Sequence, residues 1–213
     1  MSRYSQTPMD LAGLKTVSLH ARGGKVTVDH FASVASPGMR AGALLDSLPK
    51  LLAADHLRRV VEALESARRR RRGILWALGG HVIKCGLAPV LLDLMRRGFA
   101  TGFVLNGAAA IHDFEIALAG HTSEDVGAVL PDGSFGSAEE TGREFNLALR
   151  AARQGGIGAG EALGAALDRL AQPAFAASSL VLEAWRARTP VTVHIAVGTD
   201  TPHTHPAADG DAI

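Results

Sequence analysis

The chain has 213 residues, 47% of them hydrophobic and 20% charged, which is enough to bury one sizeable core and asks for no second. A net charge of +1 gives no electrostatic ground for a nucleic acid or an acidic membrane surface as partner. The single cysteine, Cys85, excludes an intramolecular disulfide, and no apolar run reaches the roughly 20 residues of a spanning helix or the form of a secretory leader. The expectation is a soluble, cytoplasmic protein whose partners are small ligands or other subunits.

Taken in chain order, residues 1–54 read as an N-terminal arm and helical segment packing on the core, and 55–213 as an α/β domain, one domain overall. In "GGKVTVDHFA", Val26 and Val28 alternate with polar neighbours, as in an edge strand or an extended arm. From Asp55 to Arg72, Leu57, Val60, Val61 and Leu64 recur at helical spacing. The run "ARRRRRG" closes that helix, where cations suit the C-terminal dipole, and it reads as a solvated helix end; an anion or partner contact is the other reading.

Ile74 to Leu78 is a short apolar run expected to be a strand covered on both faces, ended by Gly79-Gly80. Leu87, Val90, Leu91, Leu94 and Met95 mark one helix face stopped by Gly98, and Phe103 to Leu105 is a second strand. Strand, helix and strand with short connections imply a parallel crossover. Ser137 and Glu140 have capping-box spacing for a helix ending near Gln154. Two further helical patterns follow, and "VTVHIAV" is the clearest β-branched strand.

Three apolar strands thus end in Gly79-Gly80, Asn106-Gly107 and Gly198-Thr199-Asp200. If parallel, all three ends share the edge where open α/β folds bind ligands. The loop after Leu78 does not have the G-x-G-x-x-G spacing. His112 with Asp113, beside Glu115, is a candidate acid-base pair, and a turn without chemistry is the alternative. Lys84 is the lysine nearest the crevice, a possible Schiff-base amine or a surface residue. In "DTPHTHP", His203 and His205 would share a side if extended, with Asp200 and either His194 or His112 completing a metal site; capping the strand exit or touching a nucleotide is the alternative, and no metal ligand is assigned. Cys85 with His81 lacks a third member and reads as a half-buried packing residue.

The blocks "GGHVIKCGLAPVLLDLMRRG", "NGAAAIHDFEIALAGHTSEDVG", "GSFGSAEETGREFN" and "PVTVHIAVGTDTPHTHPAADG" resemble the bacterial deoxyhypusine-synthase-like family, over about Lys15 to the end. The resemblance implies a Rossmann-like parallel sheet flanked by helices that binds NAD, and a homotetramer with sites between subunits. It further implies an NAD-dependent transferase or oxidoreductase acting on a small amine-type substrate. Gly79, Gly80, His81, Asn106, Gly107, Ala108, Gly198, Thr199 and Asp200 would line the cofactor, with His112, Asp113 and Lys84 doing chemistry. Gly-Gly-His stands where the synthase has Ser-Asn, and His112-Asp113 where it has a pair of glutamates. Relatives continue past the final Asp-Gly into the region that carries the synthase's reactive lysine, so the fold is expected to be shortened at the C-terminus and hypusine transfer is not expected. A non-catalytic binding or structural subunit and a metal-dependent hydrolase are the competing classes.

Overall fold

The computed structural model describes residues 9–213, which form two compact units, one ending at Val61 and one spanning Glu62–Ile213. In the first, no strand forms at Val26 and Val28, where the alternation had suggested an edge strand or an extended arm; a 3-10 turn (Val28–His30) stands there, and helix α1 (Ala41–Ser47) follows. Those valines are exposed, and a strand with no partner to complete its hydrogen bonds has nothing to hold it extended. The Arg58 guanidinium donates to the carbonyls of Leu45, Leu48 and Pro49, satisfying groups that the end of α1 leaves open.

Helix α2 (Leu52–Arg69) follows the expected periodicity. The second unit continues through β1 (Leu75–Leu78), α3 (Gly80–Lys84), α4 (Ala88–Arg96), β2 (Gly102–Asn106), α5 (Gly107–Ala119) and the short α6 (Val126–Val129). It closes with α7 (Glu139–Gly155), α8 (Ala159–Leu170), α9 (Leu180–Arg186), β3 (Val191–His194) and a 3-10 turn at Thr201–Thr204. The strands form one three-stranded sheet in the order β1-β2-β3, all parallel and flanked by helices. Leu75 pairs with Gly102 and Phe103 with Val191, so the three strands run in step.

Only β2 is covered as its apolar run predicted. β1 alternates exposed and half-buried residues, with Leu75 69% exposed, which corrects the expectation of a strand covered on both faces. It sits at the sheet edge, and four residues of a half-covered strand carry no more apolar pattern than a fully covered one. Helix α7 begins at Glu139 with Ala138 at its N-cap and no side-chain cap, so the Ser137-Glu140 capping box does not form. Glu139 and Glu140 instead place negative charge in the first turn, where the helix dipole favours it. Among the described residues no helix is long and apolar enough to cross a membrane.

Phe103 and Leu105 of β2, Phe114 of α5, Phe145 and Leu149 of α7, and Leu163 and Leu167 of α8 form the centre of the core. Phe114 and Phe145 meet edge to face, 5.7 Å between centroids. Helix α5 is apolar around most of its circumference because it lies between β2 and the helices α7, α8 and α9. Glycines set the closest approaches of α8. A Cβ on Gly160 would overlap the Val191 carbonyl of β3, and one on Gly164 would overlap the Trp185 side chain of α9. Gly160→Ala and Gly164→Ala are each expected to lower stability by about 2 kcal/mol through overpacking, a fall in Tm of roughly 4–8 °C. Gly210→Ala, outside any helix at a position with nothing within 4 Å, is the thermal-melt control and should stay within about 0.5 kcal/mol.

Candidate functional site

Because the strands are parallel and in step, their C-terminal ends share one edge, and Asn106 lies beside His194 there. The Asn106 side chain accepts from the Ala109 amide at 2.9 Å and caps α5, so the strand passes straight into the helix with no intervening loop. Gly79 occupies the N-cap of α3. A Cβ on Gly80 would stand 3.0 Å from His112 Cδ2 and 3.1 Å from the Ala108 methyl, and one on Gly107 would overlap the Asp200 carboxylate. Gly80 and Gly107 are therefore small because α3, α5 and the Asp200 turn converge. Asp200 accepts from the Ala196 amide at 3.1 Å and sets a carboxylate at the start of α5, the place where a helix N-terminus attracts an anion.

The structure thus brings Gly79, Gly80, Asn106, Gly107, Ala108, Thr199 and Asp200 to one edge. Thr199 donates its hydroxyl to the Ala196 carbonyl, and Gly198, in the left-handed region at φ 81°, donates its amide to His203 Nδ1. His81 is exposed on α3.

A cavity of about 230 Å³ opens at this edge, lined by Lys84, Ala108, His112, Glu115 and Asp200 among others. A larger one of about 770 Å³ adjoins it and shares Glu115, Ser123, Glu124 and Gly136. Glu115 stands at the junction. One of its oxygens accepts from the Thr141 hydroxyl at 3.2 Å, the other from the Thr122 hydroxyl, and Thr122 Oγ1 lies 2.7 Å from His112 Nδ1. Thr122 has one proton and gives it to the carboxylate, so its oxygen must accept from His112, which fixes the Nδ1–H tautomer and leaves Nε2 free to take a proton. Burial pulls the His112 pKa below its usual 6.5; Glu115 pushes it up, and Lys84 and His81 push it down again.

The larger cavity is acidic. Glu115, Glu124, Asp125, Glu140 and Glu144 line it against Arg143 and His121, and Arg143 is already paired with Glu139 and Glu144 at 2.8 Å each. Leu118, Val129 and Leu170 provide an apolar wall.

Asp113 does not join His112. It is completely buried and accepts from the Ser179 hydroxyl at 2.6 Å and from the Leu180 and Val181 amides at 2.6 and 3.0 Å, capping α9. Adjacent helical residues point about 100° apart, whereas positions i and i+3 share a face, so His112 pairs with Glu115 and Asp113 turns into the core. That spacing was visible in the sequence and identifies Glu115; Thr122 and Thr141 had no comparable signal. Lys84 is exposed beside the smaller cavity, and Cys85 is exposed at the end of α3 instead of half-buried.

The two histidines of "DTPHTHP" part company because Thr201–Thr204 is a 3-10 turn, not an extended segment. His203 takes the Gly198 amide, and His205 donates Nε2–H to Glu139 at 3.0 Å while its Nδ1 accepts from Ala207. His194 contacts Thr192. Among the described residues no group of three or more His, Cys, Asp or Glu is placed to hold a metal ion.

No family model matches the sequence, and neither does any curated protein. Similar solved structures include a conserved putative LOR/SDH protein from Methanococcus maripaludis S2, 16% identical, with a TM-score of 0.46 over 92% of this chain and 51% of that one. Another is apo ArgZ, an arginine dihydrolase from the ornithine-ammonia cycle in cyanobacteria, 20% identical, with a TM-score of 0.41 over 70% of this chain and 19% of that one. The chain spans about half the length of the first and about a fifth of the second. At these scores neither lends its activity to this chain. The resemblance to deoxyhypusine-synthase-like proteins is corrected: these neighbours are a LOR/SDH-like protein and an arginine dihydrolase, and no family model supports the resemblance. The deoxyhypusine-synthase-like transferase or oxidoreductase reading falls with it. Several residues that carried it answer to local packing: Gly80 to Ala108 and His112, Gly107 to Asp200, and Gly142 to the His205 ring.

Two outcomes follow from the electrostatics. In a proton NMR titration, Glu115→Gln should lower the His112 pKa further and Lys84→Met should raise it, because each substitution removes one of the charges acting on it. For Asp113, burial outweighs the three hydrogen bonds and raises the carboxyl from 3.8 to about 6. The folded state then holds the proton more tightly than the unfolded one, so this group lowers stability as pH rises from about 4 to 6, by up to about 1.4 kcal/mol per unit. Urea unfolding across that range should show the slope, and Asp113→Ala should remove it while costing about 3 kcal/mol at low pH through the uncapped α9 amides.

Proposed function

We propose that the chain binds a small organic cation, an amine or guanidinium on a short apolar stem, in the acidic cavity, and that His112 exchanges a proton with the bound molecule. The observation that carries this reading is Glu115, held by two threonine hydroxyls at the junction of the two cavities and linked through Thr122 to His112. A carboxylate fixed in this way is ready to meet a cation without reorganising, and Leu118, Val129 and Leu170 suit an alkyl stem. His112 Nε2 provides the base, on a residue lining the smaller cavity.

A second reading takes the sheet as Rossmann-like and places a nucleotide such as NAD at the strand ends. Its support is the alignment of the three strand ends and the Asp200 carboxylate, a group suited to ribose hydroxyls.

Thermal-shift titrations with putrescine, agmatine, arginine and NAD separate the two. A cation present at a hundred times its Kd should add about 2.7 kcal/mol, a rise of roughly 5–10 °C, and Glu115→Gln should abolish the rise. A flat response to all three cations, or a rise untouched by Glu115→Gln, would sink the cation reading. A saturable rise with NAD that Asp200→Ala removes would put the nucleotide reading in its place.

A further inference from the structure

Gly73 lies two residues before β1 and Thr101 one residue before β2, so the parallel sheet places them at the edge opposite the strand ends described above. A hollow of about 650 Å³ lies there, lined by Arg68, Arg71, Arg72, Arg96 and Arg97 together with Thr101 and two glycines. No carboxylate lines it. Arg96 is paired with Glu183 at 3.4 Å and Arg97 with Asp93 at 3.1 Å, while among the described residues no carboxylate pairs with Arg68, Arg71 or Arg72.

The hollow is built rather than incidental. Arg68 Nε donates to the Arg97 carbonyl at 2.8 Å, and the guanidinium groups of Arg68 and Arg97 lie 4.8 and 5.8 Å from the centre of the Phe99 ring. Arg71 adopts a left-handed conformation at φ 52°, and the Arg72 amide closes on the Ala67 carbonyl at 2.8 Å, which turns the chain sharply at the end of α2. Each helix C-terminus offsets about half a positive charge, so the ends of α2 and α4 answer for about one of five guanidinium groups.

We infer that this hollow binds an oligophosphate anion. Guanidinium groups present paired donors that match phosphate oxygens, and several of them around one hollow suit two or three linked phosphates better than a single carboxylate. Five arginines and no carboxylate face one concavity on a chain of net charge +1, and a hollow of this size suits a small anion better than a nucleic-acid strand, which needs an extended stripe.

Isothermal titration of the full chain with inorganic tripolyphosphate and with ATP, at about 50 mM salt, tests the assignment. Both should bind, and Arg71→Ala combined with Arg72→Ala should raise the Kd for tripolyphosphate at least about tenfold. Arg59→Ala with Arg169→Ala removes the same charge elsewhere and should change it less than about twofold. Equal affinity for both probes assigns the site to the phosphate chain alone, and tighter ATP binding assigns it to a nucleotide. Arg71→Lys with Arg72→Lys keeps the charge and should still weaken binding several-fold, which covers the case in which the alanine variant does not fold by circular dichroism. Three results would overturn the inference: no binding of either probe at millimolar concentration, equal loss in the control pair, or tighter binding of a short single-stranded oligodeoxynucleotide than of both probes.

Discussion

The second unit is organised around one buried carboxylate. Asp113 projects from the middle of α5 and receives the Ser179 hydroxyl and the first amides of α9. A helix starting inside a core would leave those amides without water or partners, and an uncompensated carboxylate there would be costly in its own right. Asp113 satisfies the amides of α9, and their hydrogen bonds offset part of the cost of burying its carboxylate, the rest appearing as the raised pKa. Since α5 leaves β2 directly and α9 leads into β3, the same contact helps set β3 beside β2, and with it the turn that carries Asp200 onto Gly107.

Helix α5 therefore has two kinds of side. Ile111, Asp113, Phe114 and Ala117 are buried, while His112 and Glu115 line the two cavities. The thermodynamic demand on the first group is close packing and complete hydrogen bonding. The second stays partly hydrated, and burial there holds the His112 pKa below its ordinary value.

A net charge of +1 conceals strong local separation. Five carboxylates border the larger cavity at one place, and five arginines border a hollow at the opposite edge of the sheet from the strand ends. Ligands of opposite charge would be drawn to different parts of one small unit, and overall neutrality keeps either field from dominating at long range.

By itself the sequence determined the three strands, their parallel order and the helices that became α2, α4 and α7, because apolar periodicity and the short connections leave few alternatives; it did not mark α5, whose start reads as a strand-end turn. It also placed His112 and Glu115 one helical turn apart, which is enough to put them on one face. Tertiary structure alone decided that Asp113 caps α9, that Gly80 and Gly107 serve close contacts, and that "DTPHTHP" folds as a turn with its histidines apart. Those outcomes depend on partners 66 to 68 residues from Asp113 and 93 from Gly107 in the chain. The sequence showed the run "ARRRRRG", but only the pairing of β1 with β2 brings Arg96 and Arg97 beside Arg68, Arg71 and Arg72 around one hollow. Local pattern records which residues must be buried or turned, but the contact that gives a polar residue its role is made across the fold.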